Sequence, residues 1–178
     1  MESLVFTIIG DDRPGLIETI STIVNTHSAN WLGSSMAQLG GKFAGMIEVA
    51  GQPEQLSKLS ASLMELTNNG LAVVIEKAVT STAHNRQETQ TISLFGLDRP
   101  GIIQEISRAL AARDFNILDL KTEITRAAMT GDPMFDGQVV IEGCNDVQSE
   151  GLTEILDTLS IQLGIDIELM DKSQPPCH

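Results

Sequence analysis

The sequence has few aromatic and few basic residues, and both shortages limit what the protein can be. Aromatic side chains make up 3% of its 178 residues, with no Tyr and a single Trp, Trp31. Any core must therefore be built from Ile, Leu, Val, Ala and Met. The 11 basic residues are outnumbered by 24 acidic ones, which gives a formal charge of −13. Because nucleic-acid affinity comes largely from Lys and Arg neutralising phosphates, we expect no direct binding to DNA or RNA, and none to an anionic membrane surface.

Cysteines and long apolar runs are also scarce. The two cysteines, Cys144 and Cys177, are too few for a disulfide framework, so a reducing compartment is expected. No apolar stretch approaches the roughly 20 residues that a membrane-spanning helix needs. The N-terminus has no basic leader followed by a long apolar core, which a signal peptide would show. We therefore expect a cytoplasmic protein that is not inserted in a membrane.

The sequence does contain an internal repeat of about 80 residues. Asp12-Arg13-Pro14-Gly15 recurs as Asp98-Arg99-Pro100-Gly101, an offset of 86 positions (98 − 12 = 86). The alignment extends without a gap on both sides of this motif, with Gly10 paired to Gly96 before it and Asn30 to Asn116 after it. The repeat predicts a first domain, a linker, a second domain and a tail, at residues 1–80, 81–90, 91–172 and 173–178.

Both copies predict the same order of elements, βαββαβ. In the first copy the hydrophobic periods predict strands at 4–10, 31–39, 42–49 and 71–76, and helices at 14–25 and 55–66. In the second they predict strands at 91–96, 117–124, 138–142 and 165–170, helices at 102–113 and 152–163, and extra hairpin residues at 127–137. This is the ferredoxin-like arrangement of the α+β class, with two helices on one face of one sheet. The other sheet face needs a cover, and a second copy is the obvious candidate.

The loop after the first strand has the chemistry of a carboxylate site. Pro14 fits the first helical position, and Arg13 before it fits the cap. Gly15 then lies in the first turn, where the missing side chain lets a ligand approach the backbone. The amides of Gly15, Leu16 and Ile17 are predicted to be free donors at the positive end of the helix dipole.

Two further residues could bind the ammonium group of the same ligand. Asp12, and Asn30 at the start of the next strand, offer oxygen acceptors, so the set complements both ends of a free amino acid. Ordinary capping chemistry also explains this loop, and for one copy seen alone it is the favoured explanation. Asn30 and Asn116 could likewise be turn residues.

The motif Gly-x-Asp-Arg-Pro-Gly, followed by a helix and then by an Asn, resembles an ACT domain. The resemblance covers both copies and nearly the whole chain. ACT domains pair, often side by side, and bind amino acids where the loop after the first strand meets a neighbouring domain. The resemblance implies ligand-binding positions in both copies: Asp12, Arg13, Gly15, Leu16 and Asn30, with Asp98, Arg99, Gly101, Ile102 and Asn116.

The layout of two such domains and nothing else is similar to that of ACT-domain transcriptional repressors. The segment Thr130–Phe135 also looks like that group and like the regulatory region of formyltetrahydrofolate deformylase. The resemblance implies a regulator of amino-acid metabolism, with glycine metabolism among the candidates. It implies an amino acid as ligand, a transcription factor among the candidate protein partners, and compatibility with a homo-oligomer.

The two copies are not identical at the predicted sites. Asp11 in the first copy stands where the second has Leu97, and Trp31 stands where the second has Ile117. The two sites are therefore expected to differ. Trp31 could cover a ligand, but a place in the core is the better interpretation.

No catalytic constellation is present in the sequence, so we expect no enzyme, no metal and no cofactor. The three histidines, His27, His84 and His178, fall at a helix end, in the linker and in the tail, without metal-ligand spacing. One alternative is a protein-contact module that has lost its ligand, which would use Met134 and Phe135 in a long hairpin loop unless they fold back over the sheet. A regulatory subunit of an enzyme is the less favoured alternative.

Overall fold

The computed structural model describes residues 2–78, 88–144 and 146–170, without the side chains of 88, 144 and 146–150. The chain forms two compact units, Met1–Thr82 and Ala83–His178. Most of the predicted linker and the whole tail, with His84, Cys177 and His178, lie outside the described residues.

Each unit has the predicted βαββαβ order. Unit 1 contains β1 (Glu2–Asp11), α1 (Leu16–Thr26), β2 (Asn30–Leu39), β3 (Lys42–Gly51), α2 (Pro53–Glu65), a short 3₁₀ helix (Leu66–Asn69) and β4 (Ala72–Lys77). Unit 2 contains β5 (Glu88–Leu97), α3 (Ile102–Ala111), β6 (Asn116–Arg126), β7 (Pro133–Cys144), α4 (Asp146–Leu163) and β8 (Ile165–Met170). The antiparallel sheets run β2-β3-β1-β4 and β6-β7-β5-β8, which confirms the ferredoxin-like α+β prediction.

The core of each unit lies between the helices and one face of its sheet. Helix residues four apart face the sheet because they share one side of a helix. Alternate strand residues meet them because side chains alternate between the two faces of a strand. The buried helix residues include Leu16, Ile20 and Val24 in α1 and Ile102, Ile106 and Leu110 in α3. Trp31 is half-buried and packs against the core of unit 1, as expected.

The opposite face of the unit 1 sheet is apolar and exposed. Thr7, Met46 and Val74 lie side by side across three strands, and Ile9 follows on the same face. Ile9, Met46 and Val74 are each about half exposed.

In the described part of the chain, no helix combines the length and apolar character that crossing a membrane requires.

The hairpin of unit 2 differs from the sequence prediction. β7 begins at Pro133 rather than at Gln138, and Phe135 is 6% exposed within the core of unit 2. The extra residues lengthen the strands and leave a short turn, in which the Ala127 N–H donates to the Asp132 carbonyl at 2.9 Å. The prediction of a long hairpin loop there was wrong. Because Phe135 is buried in the core, β7 includes it and begins before Gly137.

The equivalent glycines Gly10 and Gly96 give a test of how tightly each unit is packed internally. We predict that Gly96→Ala destabilises the protein by about 1–3 kcal/mol. A Cβ there would lie 2.8 Å from the Cα of Ile165, which is backbone and cannot rotate away. The matched change Gly10→Ala would mainly meet the end of the Leu71 side chain, which can rotate. Urea unfolding followed by circular dichroism compares the two variants, and equal losses would contradict the prediction.

Candidate functional site

The first helix begins two residues later than the sequence predicts, whereas the helix after the second Asp-Arg-Pro-Gly loop begins at residue 102, as predicted. α1 begins at Leu16, and Gly15 is its N-cap with φ 83°, in the left-handed region. Gly101 has φ 97° before α3. The placement of Pro14 at the first helical position was wrong, because a left-handed residue cannot belong to an α-helix and therefore ends the loop.

The first amides of α1 are consequently those of Leu16, Ile17 and Glu18. The first helical bond runs from the Thr19 N–H to the Gly15 carbonyl at 2.9 Å, so these three amides precede it. Among the described residues, no side chain caps this helix end. A Cβ placed on Gly15 would have one neighbour within 4 Å, Oε2 of Glu18 at 3.9 Å. The positive end of α1 therefore faces open space.

A depression of about 430 Å³ lies in front of this helix end. Its walls are the loop, the first turn of α1 and one aromatic ring from β3, namely residues Asp12 to Glu18 and Phe43. The side chain of Leu16 is 4% exposed and that of Ile102 is 2% exposed, and both belong to the cores. Of these two predicted ligand residues, only the backbone is suitably placed for a polar ligand.

Asp12 is fixed by the hairpin that joins β2 to β3. Its backbone N–H donates to the carbonyl of Gly41 at 3.2 Å. Gln38 Nε2 donates to Oδ2 of Asp12 at 2.7 Å. Sequence reasoning missed Gln38, although its place beside the Gly40-Gly41 turn, on the strand face it shares with Phe43, was a usable signal.

Asp11 forms an ion pair with Lys42 directly across the sheet. The hydrogen bond from Lys42, then its positive charge and to a lesser degree that of Arg13, lower the pKa of the Asp11 carboxyl. Both partners are exposed. Neither residue lines the depression, and the exposed pair adds little stability.

Asn30 does not lie near Asp12 in the same unit. It is opposite Ala50, which is opposite Ser3, so Asn30 is level with the start of β1. Asp12 follows the other end of that strand, nine positions from Ser3 (12 − 3 = 9), or about 30 Å at about 3.4 Å per residue. Asn116 has the same place in unit 2. The idea that one copy's Asp12 and Asn30 hold the same small ligand was wrong, because the antiparallel register separates them.

The second loop has different neighbours. Arg99 Nη2 donates to the Gln162 carbonyl in the last turn of α4 at 3.3 Å, and Gln162 Nε2 donates to Oε2 of Glu105 at 3.0 Å. At the strand position equivalent to Gln38, unit 2 has Ile124. Asp98 therefore receives no hydrogen bond from that position.

Of the three histidines, His27 is the one within the described residues. It ends α1, and its Nε2 lies 2.9 Å from Oγ of Ser62. Within residues 2–78, 88–144 and 146–170, no cluster of three His, Cys, Asp or Glu could hold a metal ion.

The sequence has recognisable relatives. Residues 2–76 match the ACT domain family. The chain is 24% identical over 118 residues to the glycine cleavage system transcriptional repressor of Escherichia coli strain K12, and equally to that of Shigella flexneri. The match covers 66% of this chain and 62% of the length of each repressor, so less than two thirds of those proteins is matched.

Two solved structures share the fold over nearly the whole chain. A protein of unknown function from Galdieria sulphuraria superimposes with a TM-score of 0.81 and 28% identity, over 94% of this chain and 96% of its own. A structure provisionally assigned as a glycine cleavage system transcriptional repressor has a TM-score of 0.70 and 20% identity, over 95% and 96%. Both units therefore have the fold that the resemblance implied.

The ion pair beside the depression predicts a measurable titration. In Lys42→Met, which copies the apolar residue of unit 2 at this position, the pKa of Asp11 should rise towards its ordinary value. NMR titration of the Asp11 carboxyl carbon measures this directly. Since the pKa is lowered in the folded protein, the pair's small contribution to stability is present at neutral pH and is lost as the pH falls through that pKa. An unchanged pKa in the variant would show that Lys42 is not its cause.

Proposed function

We propose that this chain is a tandem ACT-domain regulatory protein and that it binds a free amino acid beside Gly15. The observation that carries the proposal is the uncapped start of α1, which opens into a depression that also contains two carboxylates. Free amides attract the ligand's carboxylate, and Asp12 and Glu18 offer acceptors to its ammonium.

The walls of the depression complement a small zwitterion. Arg13 also lines the depression and adds a positive charge that can attract the ligand's carboxylate. Ile17, which is half exposed, and the ring of Phe43 provide an apolar wall for a short side chain. Glycine is the first ligand to test, because the repressors to which the sequence is similar are named for glycine cleavage.

The first loop is the better ligand site of the two. Arg99 is bonded to the end of α4, and the position of Gln38 is taken by Ile124 in unit 2. In ACT domains the site lies where this loop meets a neighbouring domain. Asn30 or Asn116 would then contribute to a ligand held by the loop of another domain, which agrees with their distance from the loop of their own.

Regulation would follow from a shift between two packings of neighbouring domains. A ligand shifts such a balance only by its different affinity for the two states, typically 1–3 kcal/mol. The strongly acidic chain favours a protein partner with a basic surface, such as a DNA-binding transcription factor, over DNA itself. We propose a cytoplasmic regulator without catalytic activity, metal or cofactor.

A protein-contact module without a ligand is the second candidate. The sequence feature that favoured it no longer does, because Phe135 lies in the core of unit 2 and Met134 in a strand. The exposed apolar sheet face of unit 1 still favours some protein contact. Such a contact is compatible with a ligand site in the same chain.

Calorimetric titration with glycine, serine and the other common amino acids tests the proposal. We expect one of them to bind, and Gly15→Val to reduce its affinity by at least about tenfold, since the side chain would fill the open space in front of the amides. Gly101→Val should have the smaller effect.

The valine also strains the backbone, because Gly15 has a positive φ, and a matched control removes this ambiguity. Gly70 has φ 81°, and a Cβ there would meet nothing within 4 Å. Gly70→Val therefore imposes a similar strain on unit 1 at a position outside the depression, and it should leave binding unchanged. Loss of binding in both variants would point to unfolding, and an absence of binding across the amino-acid panel would refute the proposal.

A further inference from the structure

The neighbour of Asp12 adds a residue to the proposed site. We infer that Gln38 is a positioning residue that holds the Asp12 carboxylate for the ligand's ammonium group, and this inference rests on the proposed function. Gln38 extends from the edge strand β2 and donates to Oδ2 of Asp12 at 2.7 Å. The hydrogen bond crosses from one element to another, so it fixes the carboxylate relative to the hairpin.

The geometry leaves Asp12 able to accept from a ligand. A carboxylate has about four acceptor sites, and the Gln38 amide uses one of those on Oδ2. The backbone of Asp12 is fixed separately by its bond to the Gly41 carbonyl. With the backbone and one oxygen held, the remaining acceptor sites keep a defined direction, and less freedom is lost when the ligand binds.

The second unit shows the same loop without this arrangement. Ile124 occupies the position of Gln38, opposite Phe135 as Gln38 is opposite Phe43. Isoleucine has no donor, so Asp98 cannot be held in this way. Gln38 therefore distinguishes the two copies at the point where an ammonium would be recognised.

The test replaces Gln38 with the residue that unit 2 has there. Gln38→Ile should weaken glycine binding about fivefold to tenfold, the effect of losing one hydrogen bond to a charged group at an exposed site. Acetate, which is glycine without its amino group, should bind both proteins equally. NMR titration of the amides of Leu16–Glu18 measures both affinities in the full chain, even when they are weak. Serine with 3-hydroxypropionate gives a second matched pair.

Two further variants separate positioning from general damage. Ser34→Ile places the same side chain on the same face of β2, four residues from Gln38 and away from the loop, and should change neither affinity. Asp12→Asn should itself lose the preference for glycine over acetate. In that background Gln38→Ile should cause little further loss, because it acts through Asp12.

The outcomes distinguish this inference from the proposed function. If Gln38→Ile leaves the ratio of glycine to acetate affinity unchanged, even when both affinities fall, the role of Gln38 is overturned. Amino-acid binding by the unaltered protein would still support the proposed function. If the unaltered protein bound no amino acid, the proposed function and this inference would both fail. A loss confined to the ligands with an amino group, and absent in the Asp12→Asn background, is the expected result.

Discussion

The left-handed glycine between the first strand and the first helix is the constraint on which each unit depends. The chain must leave β1, reverse direction and pack α1 back on the same sheet, and it does so within a few residues. Gly15 and Gly101 make that reversal at φ 83° and 97°, where a residue with a side chain would be strained. The reversal also ends the loop abruptly, so the first helix amides have no cap from it. The same turn thus builds the fold and leaves free donors at the surface.

Around this common turn, the surroundings of the two copies have diverged. In unit 1 the residues before the turn have polar partners, with Asp11 paired to Lys42 and Asp12 bonded to Gln38. In unit 2 the corresponding strand positions are apolar, and Arg99 is bonded to the end of α4. Backbone geometry is therefore duplicated, whereas the chemistry around it is not. Such a division is typical of duplicated modules in which the fold constrains the turn and the surface is free to change.

The sequence predicted the order of elements and the core because both depend on local hydrophobic period. The alternation in β1 and the four-residue spacing in α1 each describe one buried face, and the structure has both. The start of α1 was missed by two residues, since the rule that favours Pro14 at a helix start competed with a backbone angle at Gly15 that the sequence does not show. The start of β7 was missed because residues 127–137 were predicted as extra hairpin residues, whereas Phe135 is buried in the core and belongs to the strand.

The site was predicted less well than the fold, because it depends on contacts between elements. The loop residues are consecutive in sequence, so their chemistry could be worked out from the motif alone. Gln38 and Asn30 lie on another strand, and only the register shows that one touches Asp12 while the other is at the far end of the sheet. The Gly40-Gly41 turn indicates the register of its own hairpin, but the pairing of β3 with β1 joins segments far apart in sequence and is not contained in any one turn.

The distance between the loop and the asparagine has a consequence for how such a protein responds to its own abundance. If both groups serve one ligand, the two must come from different domains, and where those domains belong to different copies of the chain, ligand binding and assembly are linked by mass action. Dilution would then weaken the site without altering a single contact within a unit. In that case a cell could tune the response to the ligand by setting the number of copies of the chain, so that gene dosage would act as a second input beside the ligand itself.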